Sequence, residues 1–234
     1  MRLISFYANN RAYRSLQYAK GLLLSVWLLL LAHTLVALTL PDLKNKAAEQ
    51  YGDSALGRII AWEQLIRDHQ DAALPERLQY VNTFFNEQVT WVSDSDAWET
   101  EDYWATPLET MGRAKGDCED FSIAKYATLL LMNVEPASLR LVYVKASRGG
   151  ITQAHMVLAW YQSPAHTPLI LDNIDFNILP ATERGDLFPV FSFNATALWV
   201  GGKTAPSSAN PVTRLSRWRT VLAKMREEGF ALDV

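Results

Sequence analysis

The chain is 234 residues long, 49% hydrophobic and 20% charged, with 22 Lys and Arg against 25 Asp and Glu. That length and balance exclude a disordered polymer and provide for one domain with a sizeable core, with or without an arm. Four of the 22 basic residues fall in positions 1–37, so the remainder carries 18 positive against 25 negative charges, a net of −7, which argues against nucleic acid as a partner.

The first forty residues differ in kind from the rest. Arg2, Arg11, Arg14 and Lys20 precede the apolar run GLLLSVWLLLLAHTLVAL, residues 21–38, and no acidic residue occurs before Asp42. His33 and Thr34 interrupt the run, leaving its unbroken part shorter than the roughly 20 residues of a spanning helix. Residues 1–37 are therefore expected to be a signal peptide, cut after Ala37, or else an uncleaved N-terminal anchor; residues 38–234 form the exported domain.

The stretch DSALGRIIAWEQLIRDHQ, 53–70, opens on Asp53 as a cap and repeats apolar residues at Leu56, Ile59, Ile60, Leu65 and Ile66, which predicts a helix. A second helix is predicted from Pro75 to about Gln88, with Leu78, Val81 and Phe85 on one face. The following WVSDSDAWETEDYWATP has neither helical nor strand periodicity and reads as an ordered, acidic, solvated loop; its Asp94, Asp96, Glu99, Glu101 and Asp102 offer a metal ligand as the alternative, but without EF-hand spacing or its glycine.

A third helix is predicted from Asp117 to near Asn133, with Pro136 beyond it. Phe121, Ile123, Ala124, Ala127, Leu130 and Leu131 spread around most of its circumference, so it should be enclosed by the domain. The period then changes to two in LRLVYVKA (139–146), AHMVLAWY (154–161), TPLILDNI (167–174) and ATALWV (195–200). The links between these strands are too short for helical crossovers, so an antiparallel sheet and an α+β fold are expected. TAPSSANP, 204–211, is a connector. After it Asn210 caps, and Pro211 begins, a last helix with Leu215, Trp218, Leu222 and Met225 as its stripe.

Cys118 is the only cysteine. One cysteine forms no internal disulfide, and a free thiol in an oxidising compartment has to be buried or used. Cys118 falls in the first turn of the enclosed helix, where the positive end of the helix dipole favours thiolate. A thiol nucleophile needs a base, and the base needs an orienting group. His155 starts one predicted strand and Asp172 ends the next, and antiparallel neighbours bring such positions to the same edge. Taken singly, His155 also reads as a surface histidine and Asp172 as a turn residue.

The segments DYWATPLETMGRAKGDCEDFSIAKY, LRLVYVKA, QAHMVLAWY, LILDNI and RGDLFPVFSFN resemble the bacterial transglutaminase-like cysteine proteinases, the LapG family of periplasmic proteases. The likeness runs in order from about residue 50 to 227. It implies a papain-like, transglutaminase-like core in which a nucleophile-bearing helix packs on an antiparallel sheet, with Cys118, His155 and Asp172 as the catalytic Cys, His and Asp. It implies a calcium requirement, with Asp117, Glu119 and Asp120 as ligands, where a divalent cation would offset the repulsion these carboxylates exert on a thiolate. Without metal, Asp117 would cap the helix while Glu119 and Asp120 complement its dipole. The resemblance further implies a periplasmic endopeptidase whose substrate is a large surface adhesin, cut near its N-terminus to release cells from a biofilm. Its implied controller is an inner-membrane cyclic-di-GMP receptor whose periplasmic domain sequesters the enzyme. Two alternatives stand beside this reading: a transglutaminase-type acyltransferase, which uses the same three groups, and a non-enzymatic periplasmic binding module.

Overall fold

In a computed structural model the chain is described over residues 40–230, which belong to one compact unit. The expected leader, 1–37, lies outside the described residues. Among the described residues no helix is long and apolar enough to cross a membrane.

Helices come first: α1 (Leu40–Tyr51), α2 (Asp53–His69) and α3 (Leu74–Gln88). Asp53 is the first helical residue of α2 rather than its cap; Gly52, at φ 80°, makes the break that separates α1 from α2. The buried stripe of α2 is Ala55, Ile59, Trp62 and Ile66, while Ile60 is exposed. Helix α3 has the predicted extent and buries Leu78, Val81 and Phe85.

The acidic stretch is more structured than its sequence predicts. Strand β1 (Thr90–Trp91) pairs in parallel with β2 (Lys115–Gly116), and between them lie α4 (Asp94–Trp98) and α5 (Pro107–Arg113). A helix of five residues is too short to show a period. What starts it is the Ser93 side chain, which accepts from the Asp96 N–H. Helix α5 begins with a Thr106–Glu109 capping box and Pro107, and its end is clasped by Arg58, which donates to the Met111 and Gly112 carbonyls at 2.6 Å each.

Helix α6 (Cys118–Leu131) is enclosed, with ten consecutive buried residues from Asp120 to Leu129. It lies on a six-stranded, wholly antiparallel sheet in the order β6–β5–β4–β3–β7–β8. The strands are β3 (Leu139–Arg148), β4 (Ile151–Trp160), β5 (Leu169–Leu171), β6 (Leu179–Pro180), β7 (Leu187–Phe193) and β8 (Leu198–Val200). The sheet face toward α6 contributes Leu139, Leu141, Met156, Leu158, Leu171 and Phe193 to the main core. Its opposite face carries a second cluster, Val142, Val144, Val157, Ala159 and Ile170, covered by Ala181 and Leu187. Strand β7 escapes a pattern reading because Pro189 interrupts it; the proline is tolerated at a bulge opposite Tyr143 and Val144. The last helix is broken at Leu215 into α7 (Pro211–Arg214), capped by Asn210, and α8 (Ser216–Glu228), which buries Trp218, Leu222 and Met225.

The architecture is thus the expected α+β one, with the helix that carries Cys118 packed against an antiparallel sheet. Its consequence for the site lies in β4. All ten β4 residues pair with β3, but β5 reaches only Leu158, Ala159 and Trp160. Among the described residues the other edge of β4 has no strand partner around His155, where the start of α6 meets it.

Candidate active site

Asp117 caps α6: its side chain accepts from the Glu119 N–H, and Asp120 reaches back to the Asp117 N–H. This box puts Cys118 at the first helical position, half-buried, on the wall of a cleft of about 930 Å³ that His155 also lines. The cleft walls include Trp91, Trp104, Tyr143 and Phe191, with Arg214 and Arg217 on one rim. The Ser122 hydroxyl, one turn along the helix, donates to the Met156 carbonyl and fixes α6 to β4 beside His155.

His155 and Asp172 are brought together as expected, but not from the expected positions: His155 is the fifth residue of β4 rather than its start, and Asp172 lies just past the end of β5. His155 Nε2 lies 2.8 Å from Asp172 Oδ1, with the two residues only 3% and 1% exposed. Asp172 follows directly on β5, and the Ile174 N–H also donates to Oδ1 at 3.0 Å. Its other oxygen, Oδ2, accepts from Arg184 Nη2 at 2.8 Å. Its main-chain carbonyl accepts from Asn86 Nδ2 at 2.8 Å and Lys125 Nζ at 3.0 Å. Burial acts to raise the Asp172 pKa, but the bond and charge of His155, with Arg184, outweigh it and hold the carboxyl well below its ordinary range.

Lys125, fully buried on α6, donates also to Asn82 Oδ1 and Asn86 Oδ1, both at 2.7 Å. Burial pushes its pKa down to about 7. The charge of Asp172 opposes that shift, and the three acceptors match the three hydrogens of the ammonium form.

Around the thiol the balance is negative. Cys118 Sγ donates to Glu119 Oε2 at 2.8 Å. Burial, then the charges of Glu119 and Asp117, raise the Cys118 pKa well above the ordinary thiol value. Asp117 is raised by burial and by Glu119, Asp120 and Asp94; Asp120 is pushed up to about 8 and Asp94 to about 6, burial leading in both.

Asp94 is where the loop departs from its sequence reading. It is 7% exposed rather than solvated, its Oδ2 accepts from the Tyr103 N–H at 2.6 Å, and its Oδ1 is buried with no partner among the described residues. Asp94, Asp117 and Asp120 bring carboxylate oxygens within 4.8 Å of one another, as do Asp94, Asp102 and Glu119. An all-oxygen, multiply anionic donor set with an orphaned oxygen suits a hard divalent cation such as calcium. Gly116 makes room for it: a Cβ there would stand 2.6 Å from Asp120 Oδ2. Spacing alone does not single out Asp94 among the loop carboxylates that could add a ligand, and it does not join Lys125 or Arg184 to Asp172.

The family model of the bacterial transglutaminase-like cysteine proteinases matches residues 63–196. The chain is similar to Legionella pneumophila LapG in its calcium-bound form, at 36% identity and a TM-score of 0.70, covering 80% of this chain and 99% of that one. It is likewise similar to the EGTA-treated form, at 34% identity and a TM-score of 0.70, covering 80% of this chain and 98% of that one. No curated protein sequence matches the chain.

Proposed function

The chain belongs to the bacterial transglutaminase-like cysteine proteinases, and from that premise we propose that it is a calcium-dependent endopeptidase using Cys118, His155 and Asp172. The observation that carries the reading is the buried 2.8 Å pairing of His155 with Asp172, on the wall of the cleft that also holds the chain's one thiol.

The Asp172 bond occupies His155 Nε2, so Nδ1 is the ring nitrogen left to take a proton. Cys118 Sγ gives its proton to His155 and bonds to the scissile carbonyl carbon. The C–N bond then breaks as His155 returns the proton to the leaving amine. Water, deprotonated by the same imidazole, attacks the thioester; the C–S bond breaks, the new carboxyl terminus leaves, and the imidazolium returns its proton to Cys118 Sγ. Asp172 holds the ring and balances its charge during each transfer. The oxyanion is placed to meet main-chain N–H groups at the start of α6.

Asp94, Asp117, Glu119 and Asp120 are the residues that would hold calcium, with Asp102 beside them. The ion would supply positive charge that offsets the field of these carboxylates on the sulfur. Support for calcium comes from this donor set and from the likeness to a calcium-bound relative.

The same resemblance supplies the biological setting: a periplasmic enzyme cleaving a large surface adhesin near its N-terminus to release cells from a biofilm, sequestered by an inner-membrane cyclic-di-GMP receptor. Arg2 to Lys20 followed by the apolar run 21–38 supports export. The test is to mix the purified protein with the N-terminal region of a candidate adhesin from the same cell, with and without Ca²⁺. Cleavage only with Ca²⁺ is expected. Absence of hydrolysis, or incorporation of an added amine in place of water, would overturn the reading.

A further inference from the structure

Asp172 has two carboxylate oxygens, and the proposed triad uses one. The second is met by Arg184, which lies in the loop between β6 and β7 and is 4% exposed. We infer that Arg184 is a positioning residue of this site, fixing the Asp172 carboxylate in one orientation so that Oδ1 stays on His155 Nε2. The inference rests on the reading of Cys118, His155 and Asp172 as catalytic.

A carboxylate held by a single donor can turn about its terminal torsion and exchange its oxygens, because that torsion is broad. Here both oxygens are claimed: Oδ1 by His155 and Ile174, Oδ2 by Arg184. Arg184 is itself held rigidly. Its Nε and Nη2 fork onto Asp186 Oδ1 and Oδ2, each at 2.9 Å. Asp186 is anchored in turn to the end of β3, where its carbonyl accepts from the Ser147 N–H at 2.8 Å and Arg148 lies 3.8 Å from its carboxylate. A planar guanidinium spanning two carboxylates transfers the rigidity of the sheet to the third member of the triad, as a lysine could not.

A purely structural tie would need only the Asp186 fork, which already joins the loop to β3. The additional bond to Asp172 does nothing for that tie. The burial is also costly, since Arg184 Nη1 has no partner among the described residues. The other cation near Asp172, Lys125, bonds its main-chain carbonyl and not its carboxylate, so of the two cations only Arg184 bonds the group that faces His155.

The experiment is a double-mutant cycle on the calcium-loaded protein, read by the rate at which iodoacetamide alkylates Cys118 and by the melting temperature of each variant. Arg184→Met is expected to slow alkylation about ten- to a hundredfold, the scale of a misplaced catalytic group. In an Asp172→Asn background the same change should alter the rate by less than about twofold, because its effect passes through the carboxylate. Arg184→Lys, which keeps the charge and one donor, should recover part of the loss. Equal slowing in both backgrounds, or a lowered melting temperature with unchanged alkylation, would reduce Arg184 to a loop tie and overturn the inference alone. An Asp172→Asn protein that alkylates as fast as wild type would instead overturn the triad, and the role of Arg184 with it.

Discussion

The thiol of Cys118 donates to the carboxylate of its chain neighbour Glu119 at 2.8 Å, so the group that must become an anion is held as a neutral donor by an anion. A cation drawing on Glu119 would release it. In chelator, Glu119→Gln should therefore alkylate faster than wild type, whereas added Ca²⁺ should accelerate wild type about tenfold or more and the variant far less, each tenfold corresponding to about 1.4 kcal/mol. Equal calcium responses in the two proteins would show that Glu119 does not restrain the sulfur.

The crowded carboxylates also set a pH dependence of stability. Asp94 and Asp120 have folded pKa values near 6 and 8, and Asp117 is raised as well. A carboxyl raised above its unfolded value holds its proton more tightly in the folded state. Its contribution is complete below about pH 4 and is lost as pH climbs through the folded values. Metal-free protein should accordingly melt at a higher temperature at pH 5 than at pH 8. Calcium should flatten or reverse that order and raise the melting temperature most at pH 8. A metal-free protein that gains stability between pH 5 and pH 8 would contradict the assignment.

Cys118→Ala should remove all cleavage of an adhesin fragment while costing less than about 1 kcal/mol of stability, because the side chain is only half-buried and anchors no element. Residual proteolysis by this variant, measured on gels against a mock purification, would exclude the thiol mechanism.

Gly116→Ala tests the cradle beneath Asp120. The new methyl group would lie 2.6 Å from Asp120 Oδ2 and 2.7 Å from its Cβ, and Asp120 is fully buried. Expected are a loss of about 1–3 kcal/mol in denaturant melts, the cost of overpacking, and weaker calcium binding by titration calorimetry. Calcium affinity equal to wild type would place the ion away from Asp120.

Much of this architecture is legible from local pattern. The Leu78, Val81 and Phe85 stripe, the apolar circumference of the Cys118 helix and the period-two runs of β3 and β4 report burial directly. His155 and Asp172 could be paired because they belong to neighbouring antiparallel segments, although their contact lies beyond the β4–β5 ladder. What the pattern hides is held by long-range polar contacts. Asp94 looks like any solvated loop aspartate until Tyr103 and the start of α6 enclose it. Arg184 lies inside a segment that carries the family resemblance, yet nothing in RGDLF says that its guanidinium bridges two aspartates. Trp62 bonding to Thr128, and Arg58 to the end of α5, likewise join residues more than fifty positions apart.

Lys125 ties the economy of the scaffold to its assembly. An ammonium sealed among Asn82, Asn86 and the Asp172 carbonyl is tolerable only when all three acceptors have arrived; with one missing, a stranded charge penalises the half-built core. Helices α3 and α6 are thereby cross-linked through one buried side chain to the backbone of Asp172, so the residue that pairs with His155 is fastened from behind by two helices at once.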